Sequence, residues 1–315
     1  MTRDLTIPAL AVALIVSLAL GVVLPVWLVF LLTIGLAKGL VALGLVVMMR
    51  AGLVSFGQGL YYGLGAYAAG LALNFLKITD AIVLIALGGV VTAIVGSLLG
   101  LIITRYREIF FAMLSLAVSM ILYGILVRSS ALGSTDGFNL IAPTLLGFAL
   151  EGETGRRVLF GLALLTTFIV AVVFHRFVRS PYGVLGEAIL SNEIRVEYLG
   201  TSVSRVLLVT YTLGAIAGGL GGALVALATG HIDPELAYWT TSGEFVFVAI
   251  LSGIGHVAAP VVGMMLFEAV RSFASQYSPY TWQMVVGFSM LAVILFLPGG
   301  LWSIFNRKKR TEGRA

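Results

Sequence analysis

Residues 26–49 read VWLVFLLTIGLAKGLVALGLVVMM, an unbroken apolar run whose one charge is Lys38. A helix needs about 20 apolar residues to cross the roughly 30 Å of bilayer hydrocarbon. A run of this length and composition is therefore a membrane span, and it sets the solvent for the rest of the chain. Composition agrees. The chain has 315 residues, of which 60% are hydrophobic and only 10% charged. Soluble domains carry about 25% charged residues. So few charges cannot cover a water-facing surface of this size.

Outward from this run, further spans are predicted at 9–24, 53–76, 81–103, 109–127, 158–174, 206–227 and 284–304. Met1-Thr2-Arg3-Asp4 leads directly into the first of them without a cleavage site and a soluble domain behind it, so 9–24 is read as a span. The long polar intervals are 128–157 and 175–205. The expected fold is all-α: a polytopic integral membrane helix bundle of about ten membrane segments, forming one domain over 1–315.

Basic residues set the orientation. With the N-terminus in the cytoplasm, Lys77, Arg128, Arg156, Arg157 and Arg271 fall outside and Lys38 lies in a span, while all other Lys and Arg fall inside. Both termini and 175–205 are then cytoplasmic. That orientation requires 244–270 to cross zero or two times. Its centre reads Gly253-Ile254-Gly255-His256, with Pro260 and Gly263 close behind. A broken, short helix pair is predicted there, of the kind that lines transport sites.

Small residues recur at helical spacing as Gly214, Gly218 and Gly222, and as Gly59, Gly63, Ala66 and Gly70. Such rows let helix backbones approach closely in lipid.

Catalytic constellations are missing from the sequence. There is no cysteine, and His175, His231 and His256 lack metal-ligand spacing. No Gly-x-x-x-x-Gly-Lys phosphate loop, nucleophile elbow or His-Glu-x-x-His pair occurs. The expected protein is not an enzyme, binds no metal or cofactor directly, and has lipid rather than nucleic acid as its medium. Ionisable groups within spans are costly and therefore informative. Lys38 and Glu268 are such groups. With Ser55, Gln58, Gly253 and Gly255 they are the candidates for lining a translocation pathway.

The interval 175–205 reads HRFVRSPYGVLGEAILSNEIRVEYLGTSVSR. Ser180-Pro181 is a helix start, with proline at the first helical position. Beyond Gly183, apolar Ile189, Ile194 and Leu199 alternate with Glu187, Glu193, Arg195 and Glu197. One or two short amphipathic helices are predicted.

The segments Ser180-Pro181-Tyr182-Gly183, Ala188-Ile189, Asn192-Glu193-Ile194-Arg195 and Leu199-Gly200 resemble the cytoplasmic loop of branched-chain amino acid ABC importer permeases of the LivM type. Gly52 through Gln58 with Gly63 through Tyr67, Tyr106-Arg107 with Phe110 through Ala117, Thr135-Asp136-Gly137, and Pro298-Gly299-Gly300-Leu301 resemble other motifs of that family in the same order. Val184, Glu187 and Leu190 stand where the family usually carries basic residues, and Lys38 departs from it too. The resemblance implies a permease subunit of the bacterial inner membrane that works by alternating access. Its partners would be a second permease, two ATP-binding subunits that use the ATP, and an extracytoplasmic solute-binding protein. It further implies that Ser180, Pro181, Gly183, Asn192, Glu193, Arg195 and Gly200 form the ATPase-coupling element. Relatives carry branched-chain and other amino acids, urea and amides, or aromatic acids. An ion-coupled carrier using Lys38 and Glu268 is the competing class.

Overall fold

A computed structural model describes residues 6–296 except 254, 278 and 279, together with 300, 302 and 303. The first three long helices expected from the apolar runs are α1 (Thr6–Val23), α2 (Val26–Arg50) and α3 (Gln58–Asn74). They are followed by α4 (Ala81–Ile103), α5 (Glu108–Arg128) and α6 (Gly152–Arg179). Two short helices, α7 (Pro181–Ser191) and α8 (Glu193–Tyr198), precede α9 (Val203–Thr229). The last three are α10 (Trp239–Ser252), α11 (Ala259–Tyr277) and α12 (Trp282–Phe296). Among the described residues, α1, α2, α4, α5, α6 and α9 are long and apolar enough to cross a membrane. The chain is thus a polytopic α-helical membrane bundle with six such helices.

Helix α2 is the axis of the bundle. It packs against α6, α9, α10 and α11, and everything on it from Leu40 to Met48 is buried. Helix α9 wedges between α2, α3 and α4. Of the predicted glycine rows, Gly214, Gly218 and Gly222 are what let it in, together with Gly44 and Gly65 opposite, while Gly59, Gly63 and Gly70 face residues 231–242 instead. A Cβ on Gly222 would run into the Tyr62 carbonyl, one on Gly65 into Gly219, and one on Gly44 would sit 2.9 Å from the Gly214 carbonyl oxygen. Backbones this close are the packing that replaces a hydrophobic driving force between helices in lipid.

Three features differ from the sequence expectation. First, 53–76 is not one helix. Gly52 through Gly57 run without helical structure, and α3 starts only at Gln58. Gly52 takes φ +80°, and Gly57 presses against the Ser115 carbonyl. The hydrogen bonds lost by leaving the helix are partly replaced, because Gly57 N–H donates to Ser55 Oγ (3.2 Å) and Phe56 N–H to Ser115 Oγ (3.1 Å).

Second, the loops outside the helices hold short antiparallel ladders. β1 (Phe138–Asn139) pairs with β4 (His231–Ile232), and β2 (Thr144–Leu145) with β3 (Phe148–Ala149). Two-residue pairs carry no readable alternation, so an all-α expectation passes over them. Third, Arg271, expected just beyond the broken pair, is a residue of α11.

Residues 244–270 are broken as the glycines predict. α10 ends at Gly253, whose φ +84° and ψ 150° suit glycine alone, and α11 begins at Ala259. Gly300 packs against the Gly253 backbone, and the Trp302 indole stacks on the His256 imidazole at 4.4 Å. The expected span 284–304 is helical as α12 from Trp282 to Phe296. Arg3, residues 297–299 and the basic stretch 304–315 lie outside the described residues, and with them most of the Pro298-Gly299-Gly300-Leu301 motif.

Candidate functional site

Three groupings of polar residues stand out, built on different elements. The first is ionic. Lys38 Nζ on α2 lies 2.6 Å from Glu268 Oε1 on α11 and 4.0 Å from Glu244 Oε2 on α10. Arg271 on α11 closes the ring, 3.0 Å from Glu244 and 3.9 Å from Glu268. Gly35 and Gly39 bring α11 onto α2, since a Cβ on either would lie 3.1 Å from a Cα of α11. Two cations and two carboxylates therefore cancel inside a membrane bundle. Breaking such a set by removing one member is costly, because an uncompensated charge is left behind. The sequence reading had Lys38 and Glu268 but missed Glu244 and Arg271. The Glu268/Arg271 spacing, one helical turn apart, was the available signal.

The second grouping is a buried seam beside α3. Ser55 and Gln58 are wholly buried. The non-helical segment Gly52–Gly57 meets α5 there through Ser115. A second non-helical stretch, running from β4 through the 3-10 turn Pro234–Ala237, meets the same helix one turn on, where Ser119 Oγ donates to the Ala237 carbonyl at 2.9 Å. Gly59 N–H donates to Ser242 Oγ on α10 (2.9 Å). Gln58 Nε2 donates to Met48 Sδ (3.0 Å). Gln58 Oε1, Tyr62 OH, Tyr67 OH and Asp233 Oδ1 are buried with no hydrogen-bond partner among the described residues. Non-helical backbone at membrane depth persists only where protein buries it or water lines it. Gly253 and Gly255 join neither grouping. They sit beyond the last turn of α10, and Gly255 has open space about it.

The third grouping is the α7–α8 pair. Ser180 caps α7, its hydroxyl donating to the Phe177 carbonyl (2.6 Å) and accepting from Gly183 N–H (3.5 Å), with Pro181 at the first helical position. Gly183 lies so close to the Phe177 and Val178 carbonyls that no Cβ fits. Asn192 caps α8 by accepting from Arg195 N–H at 3.0 Å. Gly200, φ +79°, ends it. Gly186 and Ile189 are the buried residues of α7, and Gly186 faces Ala51 at the end of α2. Tyr182, Val184, Leu190, Ile194, Tyr198 and Leu199 are exposed.

Two ion pairs bind this pair to the neighbouring turns. Arg50 lies 3.3 Å from Glu187. Arg107 grips Glu193 with two hydrogen bonds, Nε to Oε2 at 2.8 Å and a terminal nitrogen to Oε1 at 2.7 Å. This fork geometry is the strong form of an arginine–carboxylate pair. The Arg107 hydrogen bonds and charge hold the Glu193 carboxyl below its ordinary range. Arg195 is exposed. The sequence reading placed Arg107 in a family motif and gave it no partner.

No group of three or more metal-ligating side chains occurs among the described residues.

Comparison with known proteins places these features in a family. The chain is 28% identical over 285 residues to the high-affinity branched-chain amino acid transport system permease protein LivM of Salmonella typhimurium, covering 83% of this chain and 67% of that one. It is 27% identical to BraD, a permease protein of the same description from Pseudomonas aeruginosa, over 86% of this chain and 92% of that one. LivH of Escherichia coli K12 is 24% identical, over 85% and 92%. No solved structure matches. Residues 27–295 match the family described as branched-chain amino acid transport system / permease component, which takes in all three groupings, and the chain belongs to that family.

Proposed function

We propose that this chain is a transmembrane permease subunit of an ATP-binding-cassette importer. It moves a small polar solute, a branched-chain or related amino acid, inward by alternating access. The family match carries this reading. The α7–α8 pair supports it as well: a capped, rigid element with exposed apolar side chains, pinned by Arg50 and Arg107, is suited to receive an ATP-binding subunit. Ser180, Pro181, Gly183, Asn192, Glu193, Arg195 and Gly200 would form that element. The chain itself makes and breaks no covalent bond; ATP is used by the partner subunits. A second permease and an extracytoplasmic solute-binding protein complete the assembly in the bacterial inner membrane, with both termini and the α7–α8 loop in the cytoplasm.

Of the pathway candidates, Ser55 and Gln58 are the better placed. They line a seam with unpartnered polar atoms, where water or solute can be accepted. Lys38 and Glu268 neutralise each other within the ionic ring, which favours a structural role over that of coupling charges for an ion-driven carrier.

The test is co-expression with the ATP-binding subunits and the solute-binding protein, followed by reconstitution. ATP-binding subunits should co-purify, and vesicles should take up leucine only with ATP and binding protein. Uptake driven by an ion gradient without ATP would refute the reading. Uptake of urea or an aromatic acid in place of leucine would keep the importer and change the solute.

A further inference from the structure

We propose that α5 is the lever joining the α7–α8 pair to the buried seam, with Arg107 as the positioning residue at its inner end. This rests on the importer reading above and names how that machine is connected.

Arg107 is the residue before the first turn of α5. Its guanidinium holds Glu193, the first residue of α8, and also donates to the carbonyls of Thr104 and Tyr106. One side chain thus fastens the end of α4, the start of α5 and the start of α8. The joint next to it is unusual. Glu108 has φ +52°, a left-handed conformation that a non-glycine residue rarely adopts.

From that joint, α5 meets the protein along a narrow stripe. Its buried residues are Phe111, Ser115, Ser119 and Leu126. The first three are four residues apart and share one face. Phe111 packs edge-on against Tyr211, whose hydroxyl is 2.8 Å from that of Tyr61 on α3. Ser115 holds Phe56 N–H, and Ser119 holds the Ala237 carbonyl. These two hydroxyls therefore grip both non-helical segments of the seam, one arriving from the end of α2 and one from β4. The remaining residues of α5 are half-buried or exposed, so this stripe is the helix's principal buried hold on the chain. A displacement of α8 reaches Arg107, then α5, and then both segments together. Neither segment has an α-helical ladder of its own to resist it; the second has only the single 3-10 turn Pro234–Ala237.

The test uses the full reconstituted importer, with uptake and ATP hydrolysis measured in the same vesicles. Arg107→Ala is expected to lower solute moved per ATP by about fivefold, the scale on which residues along a coupled network act. The ATP-binding subunits should still co-purify. Glu193→Gln, which leaves the Arg107 bonds to the Thr104 and Tyr106 carbonyls in place, should give a similar loss, and adding it to Arg107→Ala should cost little more, which a merely local packing role for Arg107 would not give. Ser115→Ala/Ser119→Ala should give the same loss with the ion pair intact, and adding Arg107→Ala should cost little more.

An unchanged ratio in Arg107→Ala would overturn the proposal. Losses from the arginine and serine changes that multiply independently would also overturn it, because α5 would then not be the shared link. Should the wild-type chain fail to bind ATP-binding subunits at all, the importer reading falls first, and this failure is distinguishable because no ratio exists to measure.

Discussion

Lys38 on α2 and Glu268 on α11 meet at 2.6 Å although 230 residues separate them in sequence. Arg271 and Glu244 close the set around them. In lipid a lone charge at depth is costly, so each member holds the others in place.

Removing one charge should therefore cost more than removing a pair. Lys38→Met leaves an excess carboxylate and is expected to destabilise the protein by about 3 kcal/mol. Lys38→Met/Glu268→Gln should recover most of that. Thermal unfolding in detergent reads both. A single variant as stable as the double would mean that the ring is solvated.

The Arg107–Glu193 clasp should be pH-dependent in a defined direction. Glu193 is held below its ordinary value near 4.5 by Arg107, so its folded-state pKa is depressed. The stabilisation is then fully present above the unfolded value and is lost as pH falls through the folded one. The stability difference between wild type and Glu193→Gln should stay level from pH 8 to 6 and shrink below about pH 4.5. Asp80, which caps α4, is lowered in the same way, first by the Leu146 N–H and also by those of Ile82 and Val83. Its contribution should fade on the same acid side, so the comparison is made against Glu193→Gln and not against acid unfolding as a whole.

The helix crossings can be tested by single methyl groups. A Cβ at Gly222 meets the Tyr62 carbonyl, whereas Gly124 has open space around it. Gly222→Ala should destabilise by about 1–3 kcal/mol, the usual cost of overpacking. Gly124→Ala should leave the melting temperature unchanged or raise it slightly. Equal effects would show that α9 is not held by close backbone contact.

Orientation is open to cysteine mapping, since the chain contains no cysteine. A cysteine introduced by Ser191→Cys, at the end of α7, should be labelled only from the cytoplasmic side. Labelling by an impermeant reagent on intact cells would invert the topology.

What could be read from the sequence was whatever is local. The run 26–49 is a span because length and apolarity are properties of consecutive residues, and it became the buried axis α2. Ser180-Pro181 starts α7 because a cap and a proline act on the residues beside them. Gly253 breaks the chain because its own backbone needs φ +84°. The glycine rows announced close packing, though not their partners. Where the reading went astray, a local signal was outvoted: Gly52 and Gly57 sit at the edge of and inside 53–76, but an apolar count runs straight through them, and the non-helical path is made tenable by the Ser55 hydroxyl together with Ser115 on another helix. What the tertiary structure alone decided are the pairings. Arg107 with Glu193, Lys38 with Glu268, and Ser119 with the Ala237 carbonyl each join distant elements. A buried charge or polar group must find a partner, and the sequence states that need. Which partner answers it depends on which helices cross at that depth, and that is settled only when the bundle packs.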